Sequence, residues 1–149
     1  MCGHFTHRIQ GLPALEWNVV GDPHATKIVY NAAIPIHRSV GLDVTSQITM
    51  SSKQFKKEFQ FDIFRPILDF ADVWFEHSDI ITFHDPLAAT TIFNDRICTF
   101  EKGLVDVELN EKKSIGLTYW KPGNLTAQHE VALEVDRELF FKHYFSYFK

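Results

Sequence analysis

ITFHDPLAAT, residues 81–90, is the stretch of sequence that decides the fold. Ile80 to Phe83 form a short apolar run, and Asp85-Pro86 directly behind it is typical of a helix start, because the first turn of a helix does not need the N–H that proline lacks. A strand that leads straight into a helix is characteristic of α/β proteins. Ligands of open α/β sheets bind where the strands end. The stretch therefore predicts an α/β fold with a ligand crevice at His84 and Asp85.

The segment before this stretch adds two further elements. Asp22-Pro23 predicts another helix start, and apolar residues then recur at helical spacing until Pro35 ends the helix. We interpret Leu15 to Val20, which has no helical period, as a short extended piece. β-branched residues from Ile36 to Val44 indicate a short strand that runs into a turn.

The remaining segments continue the alternation of helices and strands. The polar stretch from Thr45 onward predicts a cap followed by an exposed helix, and Pro66 to Phe75 has the spacing of an amphipathic helix. NEKKS, residues 110–114, is typical of a hairpin connection, so a β-hairpin is expected near the C-terminus. The last third predicts strands at Cys98 to Leu109, Ser114 to Trp120 and Val131 to Val135, and a helix from Arg137 to Phe148.

The composition is that of one folded domain. The chain has 149 residues, 45% hydrophobic and 23% charged, which is close to globular averages. Fifteen Lys and Arg against 19 Asp and Glu give a net charge of −4, which disfavours nucleic acid as a partner. No apolar run approaches the ~18 residues that span a bilayer, and Cys2 and Cys98 suggest neither a zinc site nor a disulfide framework. We expect a cytoplasmic protein that binds neither nucleic acid nor a membrane.

His84 and Asp85 are the strongest candidates for chemistry. A histidine can donate a proton near neutral pH. Asp85 could cap the helix, bind a hydroxyl or coordinate a hard cation. The alternative is purely structural, with Asp85 as a helix cap and His84 as a partly buried packing residue.

Glu16 and Asn18 form a second candidate cluster. Alternation along an extended segment would place both side chains on the same side, where a carboxylate and an amide can bind sugar hydroxyls. The alternative is a surface strand end without a ligand. Phe70, Trp74 and Phe75 could stack on a flat base, or they could belong to the core.

Five motifs stand in a fixed order along the chain. His84-Asp85-Pro86-Leu87-Ala88 and Gly41-Leu42-Asp43-Val44-Thr45 are the two longest matches, and the others are Met1-Cys2-Gly3, Pro13-Ala14-Leu15-Glu16-Trp17-Asn18 and Asp22-Pro23-His24-Ala25. Together they resemble the calcium-dependent, inosine- and uridine-preferring nucleoside hydrolases. That family cleaves the N-glycosidic bond of ribonucleosides to give ribose and free base.

The resemblance implies roles for particular residues of this chain. His84 would be the acid that helps the nucleobase leave, and Asp85 would bind calcium through its carboxylate. Four other residues would contact the substrate. Glu16 and Asn18 would bind ribose hydroxyls, and Met1 would lie in the pocket. Gln10 stands where the family has an asparagine that touches the sugar. Calcium takes about six to eight oxygen ligands, so Asp85 alone cannot hold it.

In the family the other calcium ligands come from an N-terminal Asp-x-Asp-x-x-x-Asp-Asp segment, and this sequence contains no Asp-Asp pair. We therefore expect residues 1–149 to be the C-terminal portion of a nucleoside hydrolase domain whose Asp-rich, metal-binding half is absent. The resemblance implies a partial, open and mostly parallel sheet with flanking helices. Loss of the other half would leave an exposed sheet edge and a bare face among the 14 Phe residues.

Three hypotheses follow from these observations. The first is a ribonucleoside hydrolase that is active only with its N-terminal half, as a second chain or within a longer gene product. Its expected partners are a ribonucleoside and either that N-terminal-half chain or further copies of itself in a homo-oligomer. The second is a truncated, non-catalytic remnant or partner-binding fragment. The third is an unrelated small α/β binding protein, in which Glu16 and Asn18 would lie far from Asp85.

Overall fold

The computed structural model describes residues 3–5, 11, 14–123 and 126–148. Met1 and Gln10, to which the resemblance assigns substrate contacts, lie outside the described residues. Within them, helices and strands alternate along most of the chain, which confirms the predicted α/β class. None of the described helices is long and apolar enough to cross a membrane.

The first helix, α1 (Trp17–Gly21), replaces the extended piece predicted for Leu15 to Val20. That prediction is wrong because the Glu16 carboxylate accepts hydrogen bonds from the N–H groups of Asn18 and Val19. A side-chain acceptor at this position satisfies the first N–H groups of a helix and so favours a helix over a strand.

The second helix, α2 (Pro23–Tyr30), begins as the Asp-Pro motif predicts. Asp22 Oδ1 accepts a hydrogen bond from the Ala25 N–H at 2.8 Å, and Pro23 occupies the first turn. The helix ends at Tyr30, before Pro35, and the N–H of the next residue, Asn31, donates to carbonyls of the last turn.

The main sheet has four strands in a mixed arrangement. Its first pair is parallel and the other two pairs are antiparallel. The sheet is therefore mixed rather than mostly parallel as the resemblance implied. In spatial order the strands are β1 (His37–Ser39), β6 (His129–Val135), β4 (Cys98–Val107) and β5 (Thr118–Pro122).

The predicted β-hairpin near the C-terminus is confirmed by the antiparallel pair of β4 and β5. A second, two-stranded antiparallel sheet joins β2 (Thr49–Ser51) to β3 (Ile80–Thr82), which is the strand predicted before His84. The strand predicted from Ile36 to Val44 is shorter than expected, because its second half forms the helix α3 (Leu42–Thr45).

The other predicted helices are all present. The polar helix buries one side chain, Phe55, and is otherwise mostly exposed, whereas the last helix buries Phe140. Two short 3₁₀ turns, Asp62–Phe64 and Asp95–Ile97, precede a helix and a strand. The helices are α4 (Ser52–Glu58), α5 (Arg65–Phe75), α6 (His84–Thr90) and α7 (Arg137–Ser146).

Aromatic rings fill the larger core. Phe55 and Phe59 stack with ring centroids 4.0 Å apart, and Phe83 meets Phe140 from α7 at 6.0 Å. Cys98 lies in the same core as a free thiol, and burial raises its pKa to about 12. Much of the high Phe content therefore builds the interior.

Some large apolar side chains nevertheless face outward, as expected for a bare face. Phe70 on α5 is 79% exposed, and Phe93, just after α6, is 76% exposed. Among the described strands, β1 forms one margin of the main sheet. The exposed apolar residues lie mainly on helices and at helix ends. This apolar surface therefore consists mainly of helix residues, of which only some are Phe.

Three rings join β1 to its neighbours. Tyr30 at the end of α2 stacks on His37 with centroids 4.7 Å apart, and His37 meets the edge of His129 at 5.2 Å. His129 Nε2 donates to the Tyr30 carbonyl at 2.7 Å, while its Nδ1 accepts from the Val105 N–H at 2.9 Å. The His129 ring is thus fixed by two backbone groups.

The His37 imidazole makes the stability of this cluster sensitive to pH. Burial, and then the neighbouring His129, lower the pKa of His37, so the folded protein holds it neutral at a pH where the unfolded chain, with a pKa of about 6.5, already binds a proton. The free energy of unfolding therefore falls as the pH drops below about 6.5. His37→Phe keeps a stacking ring and cannot be protonated. We therefore expect its free energy of unfolding to fall less than that of the wild type as the pH drops.

Urea unfolding followed by circular dichroism from about pH 7.5 to about pH 5 measures this difference. His24→Phe, a change at an exposed histidine of α2, is the control and should lose stability as the wild type does. Equal pH dependence of wild type and His37→Phe would contradict the prediction.

Candidate active site

His84 is the first residue of α6 and follows β3 after a single residue, Phe83. The Phe83 N–H donates to the Ile48 carbonyl at 2.8 Å, which fixes the backbone immediately before the imidazole. His84 is half-buried. The site therefore lies where the predicted strand ends and the predicted helix begins.

The Thr45 hydroxyl holds one edge of the His84 ring. Thr45 Oγ1 lies 2.8 Å from His84 Nδ1, within hydrogen-bond distance. Burial lowers the pKa of His84, and the carboxylates of Asp85 and then Glu16 oppose that shift. Both carboxylates thus lie within electrostatic range of the imidazole.

Asp85 is the second residue of α6, and its side chain is exposed. The cap role, one of the alternatives for Asp85, is not the observed one, because the residue that precedes the helix is Phe83 and no side chain caps this end. The carboxylate instead lies in the first turn, where the partial positive charge of the helix favours an anion. It remains accessible to a ligand from outside the chain.

Glu16 is 3% exposed, and four N–H groups surround its carboxylate. Oε1 accepts from the backbone and side-chain amides of Asn18 at 3.0 and 3.1 Å, and Oε2 accepts from Val19 at 3.2 Å and Gly3 at 3.3 Å. A carboxylate has about four lone-pair sites, so these donors use its whole accepting capacity. The extended geometry expected for Glu16 and Asn18 is absent, yet the two side chains are in direct contact.

Residues 3–5 are held by backbone and side-chain groups far away in sequence. The Gly3 carbonyl accepts from the Leu42 N–H at 2.8 Å, and Asp43 Oδ2 accepts from the Phe5 N–H at 3.3 Å. Thr118 Oγ1 bonds both the N–H and the carbonyl of residue 4, each at 3.1 Å. Thr45, Asp43 and Thr118 had no functional assignment from sequence. The Gly41–Thr45 motif was the available signal for two of them.

An aromatic groove of about 440 Å³ opens beside His84. Its walls come from α5 and β3, and Trp74 Nε1 donates to the Ile80 carbonyl at 2.9 Å, which fixes the indole. Glu16, Asn18 and Asp85 are not among its described lining residues, although the Glu16 and Asp85 carboxylates both act on the His84 imidazole. The lining residues are Ile67, Phe70, Ala71, Trp74, Ile81, Thr82 and His84.

The calcium implied by the resemblance needs more ligands than this region offers. Among the described residues, no group of three or more His, Cys, Asp or Glu side chains could hold a metal ion. Calcium takes about six to eight oxygens, and Asp85 offers a single exposed carboxylate. The described residues therefore do not fit a complete calcium site.

Comparison with known proteins places this geometry in context. The family model described as inosine-uridine preferring nucleoside hydrolase matches residues 1–142. The inosine-uridine preferring nucleoside hydrolase of Leishmania major is 31% identical over 144 residues, which cover 88% of this chain and 45% of that protein. The pyrimidine-specific ribonucleoside hydrolase RihA of Salmonella paratyphi B is 32% identical over 143 residues, which cover 86% of this chain and 45% of that protein. The chain spans about 45% of the length of these relatives.

Solved structures show the same relation. The plant nucleoside hydrolase PpNRh1 superposes with a TM-score of 0.77 at 25% identity, over 96% of this chain and 50% of that one. A purine-preferring ribonucleoside hydrolase from Gardnerella vaginalis gives a TM-score of 0.79 at 23% identity, over 98% of this chain and 49% of that one. The chain therefore has the fold of about half of each of these structures.

The buried Glu16 carboxylate predicts a stability effect that a residue used only for ligand binding would not have. Glu16→Ala leaves the N–H groups of Gly3, Asn18 and Val19 without their acceptor, and we expect a loss of about 1–3 kcal/mol in the free energy of unfolding. Asp22→Ala, which removes an exposed cap with one N–H partner, is the control and should cost about 1 kcal/mol or less.

Urea unfolding of both variants at neutral pH measures the difference. A Glu16→Ala variant no less stable than Asp22→Ala would contradict the structural role of the carboxylate.

Proposed function

The chain belongs to the inosine-uridine preferring nucleoside hydrolase family, and we propose that it contributes His84 to a site that cleaves ribonucleosides to ribose and free base. The observation that carries this proposal is the half-buried His84 imidazole, held at Nδ1 by a buried hydroxyl and bordering an aromatic groove. Because the chain spans about 45% of its relatives, the activity is proposed for a complete site, with the remaining groups supplied by the rest of the fold.

The aromatic groove is the proposed binding site for the nucleobase. Its lining is mostly apolar, and Phe70 and Trp74 offer flat faces on which a purine or pyrimidine ring can stack. The hydrogen bond from Trp74 to the Ile80 carbonyl holds the indole in one orientation before a ligand arrives. A base in this groove would lie beside the His84 ring.

His84 is the proposed acid for the departing base. When the C–N glycosidic bond breaks, its electron pair moves onto the base nitrogen, which takes a proton from His84 Nε2. Water adds to the sugar carbon and gives its proton to a base that the described residues do not supply. Proton transfer by a positioned side chain accelerates such a step by about 10²–10⁴.

Ribose contacts are proposed for Asn18, with Glu16 as the residue that orients it. Asn18 is exposed, and its side-chain N–H bonds to Glu16 Oε1 at 3.1 Å. Direct binding of a ribose hydroxyl by Glu16 would require one of its four N–H donors to give way. For Gln10 and Met1, we propose the substrate contacts that the resemblance implies.

The proposed cofactor is calcium, with Asp85 as one ligand. The other ligands would come from the part of the fold that the relatives have and residues 1–149 do not match. An exposed carboxylate in the first turn of α6 supports this assignment. The proposed partners are a ribonucleoside and a polypeptide segment that completes the fold, in the same chain or in another, including a second copy. A cytoplasmic location is proposed with them.

The alternative is a non-catalytic fragment, which the partial coverage of the relatives also supports. The two functions differ in what happens when the fold is completed. A fragment of a hydrolase site becomes active, whereas a remnant that has lost its role does not.

The test is base release by a completed protein. We expect residues 1–149 alone to release no base from inosine, uridine or cytidine, because the described residues lack the remaining site groups. Fused to the part of the Leishmania major relative that this chain does not match, they should release base in the presence of calcium and stop when a chelator is added. Chromatography of the free base measures the rate.

His84→Ala in the fusion should lower the rate by about 10²–10⁴. His77→Ala, at an exposed histidine after α5, is the matched control and should leave it unchanged. A folded fusion that releases no base from any of the three nucleosides favours the non-catalytic alternative, and full activity of His84→Ala refutes the assigned acid.

A further inference from the structure

The hydroxyl of Thr45 meets the imidazole of His84 inside the protein. Thr45 is the last residue of α3 and is fully buried, and its Oγ1 lies 2.8 Å from His84 Nδ1. We propose that Thr45 is a positioning residue, which holds the His84 ring so that Nε2 is the nitrogen presented to the leaving base. The inference rests on the proposed function for its consequence in catalysis, but the positioning itself is a property of this chain alone.

Both partners of this contact are anchored to the same short piece of backbone. The Thr45 N–H donates to the Gly41 carbonyl at 3.0 Å, and the Thr45 carbonyl accepts from the Ile48 N–H at 3.1 Å. The Ile48 carbonyl in turn accepts from the Phe83 N–H at 2.8 Å. Phe83 directly precedes His84. The backbone segment that carries the Thr45 hydroxyl is therefore hydrogen-bonded, through Ile48, to the segment that carries the His84 imidazole.

The orientation of an imidazole needs such a partner. The second side-chain torsion of histidine has a broad, roughly two-fold profile, and a turn of about 180° exchanges Nδ1 with Cδ2 and Nε2 with Cε1. A carbon would then face the groove. The hydrogen bond to Nδ1 selects one of the two orientations, and Thr45 is too deeply buried for water to take its place.

A hydroxyl at this position can serve both tautomers of the ring. It is both a donor and an acceptor, so it can donate to an unprotonated Nδ1 or accept from an Nδ1 that carries a proton. When Nδ1 carries a proton, Nε2 can lose and regain its own proton while the bond to Thr45 stays in place.

Three variants separate the hydroxyl from the rest of the threonine side chain. Thr45→Val keeps the shape and removes the hydroxyl, whereas Thr45→Ser keeps the hydroxyl and removes a methyl group. Thr91→Val is the matched control, because Thr91 is also buried and follows α6, but its hydroxyl donates to the Ala88 carbonyl at 2.7 Å and not to His84.

The first measurement uses residues 1–149 alone. Nuclear Overhauser contacts of the His84 ring protons Hδ2 and Hε1 report which edge of the imidazole faces α3. We expect one orientation in the wild type, Thr45→Ser and Thr91→Val, and a second or mixed orientation in Thr45→Val. If Thr45→Val does not fold, Thr45→Ser decides, since loss of the wild-type orientation in that variant would overturn the inference.

The second measurement uses the fused, completed protein. We expect Thr45→Val to lower kcat about ten- to hundredfold, because misplacement of a reacting group by about 1 Å has an effect of that size, with little change in KM. Thr45→Ser should stay near the wild type. A wild-type fusion without turnover would refute the proposed function and leave the ring orientation as the test of Thr45. Unchanged orientation and unchanged kcat in a folded Thr45→Val would overturn the inference.

Discussion

Four consecutive residues, Leu42 to Thr45, hold the candidate site together. The Leu42 N–H and the Asp43 carboxylate bind the backbone of residues 3–5, and the Thr45 hydroxyl binds His84 at the other end of the same short helix. A helix of one turn has few bonds of its own. α3 therefore depends on its surroundings as much as they depend on it, and its buried Asp43 and Thr45 are polar groups whose hydrogen bonds must be made inside the protein.

The elements that the sequence predicted correctly are those set by neighbouring residues. The helix start at Asp22-Pro23 and the hairpin are local, because a cap or a turn acts within a few residues of itself. The failures have other causes. Glu16 begins a helix instead of an extended piece because its carboxylate caps the N–H groups of Asn18 and Val19, although the segment has no helical period. The sheet is mixed because β4 pairs antiparallel with both β5 and β6. The alternation of residues within one strand does not reveal which strands will pair.

The same distinction holds for the site. The position of His84 at the end of a strand was predicted from spacing, and the structure has it there. Its hydrogen bond to Thr45 crosses 39 residues, and no periodicity connects the two positions. Asp85 illustrates the converse. Asp before Pro is typical of a cap, which would start the helix at Pro86, yet α6 begins at His84, two residues earlier, and Asp85 is exposed.

The bonds between Thr118 and residue 4 join positions that are 114 residues apart. Closing so large a loop is entropically unfavourable until other contacts have shortened it, and contacts of high sequence separation form late in folding. The Phe-rich core and the β4–β5 hairpin can assemble without this segment. Residues 3–5 would then be attached in a last step, so the hydrogen bonds that join this segment to Glu16, Asp43 and Thr118 would be the last to form and the first to open.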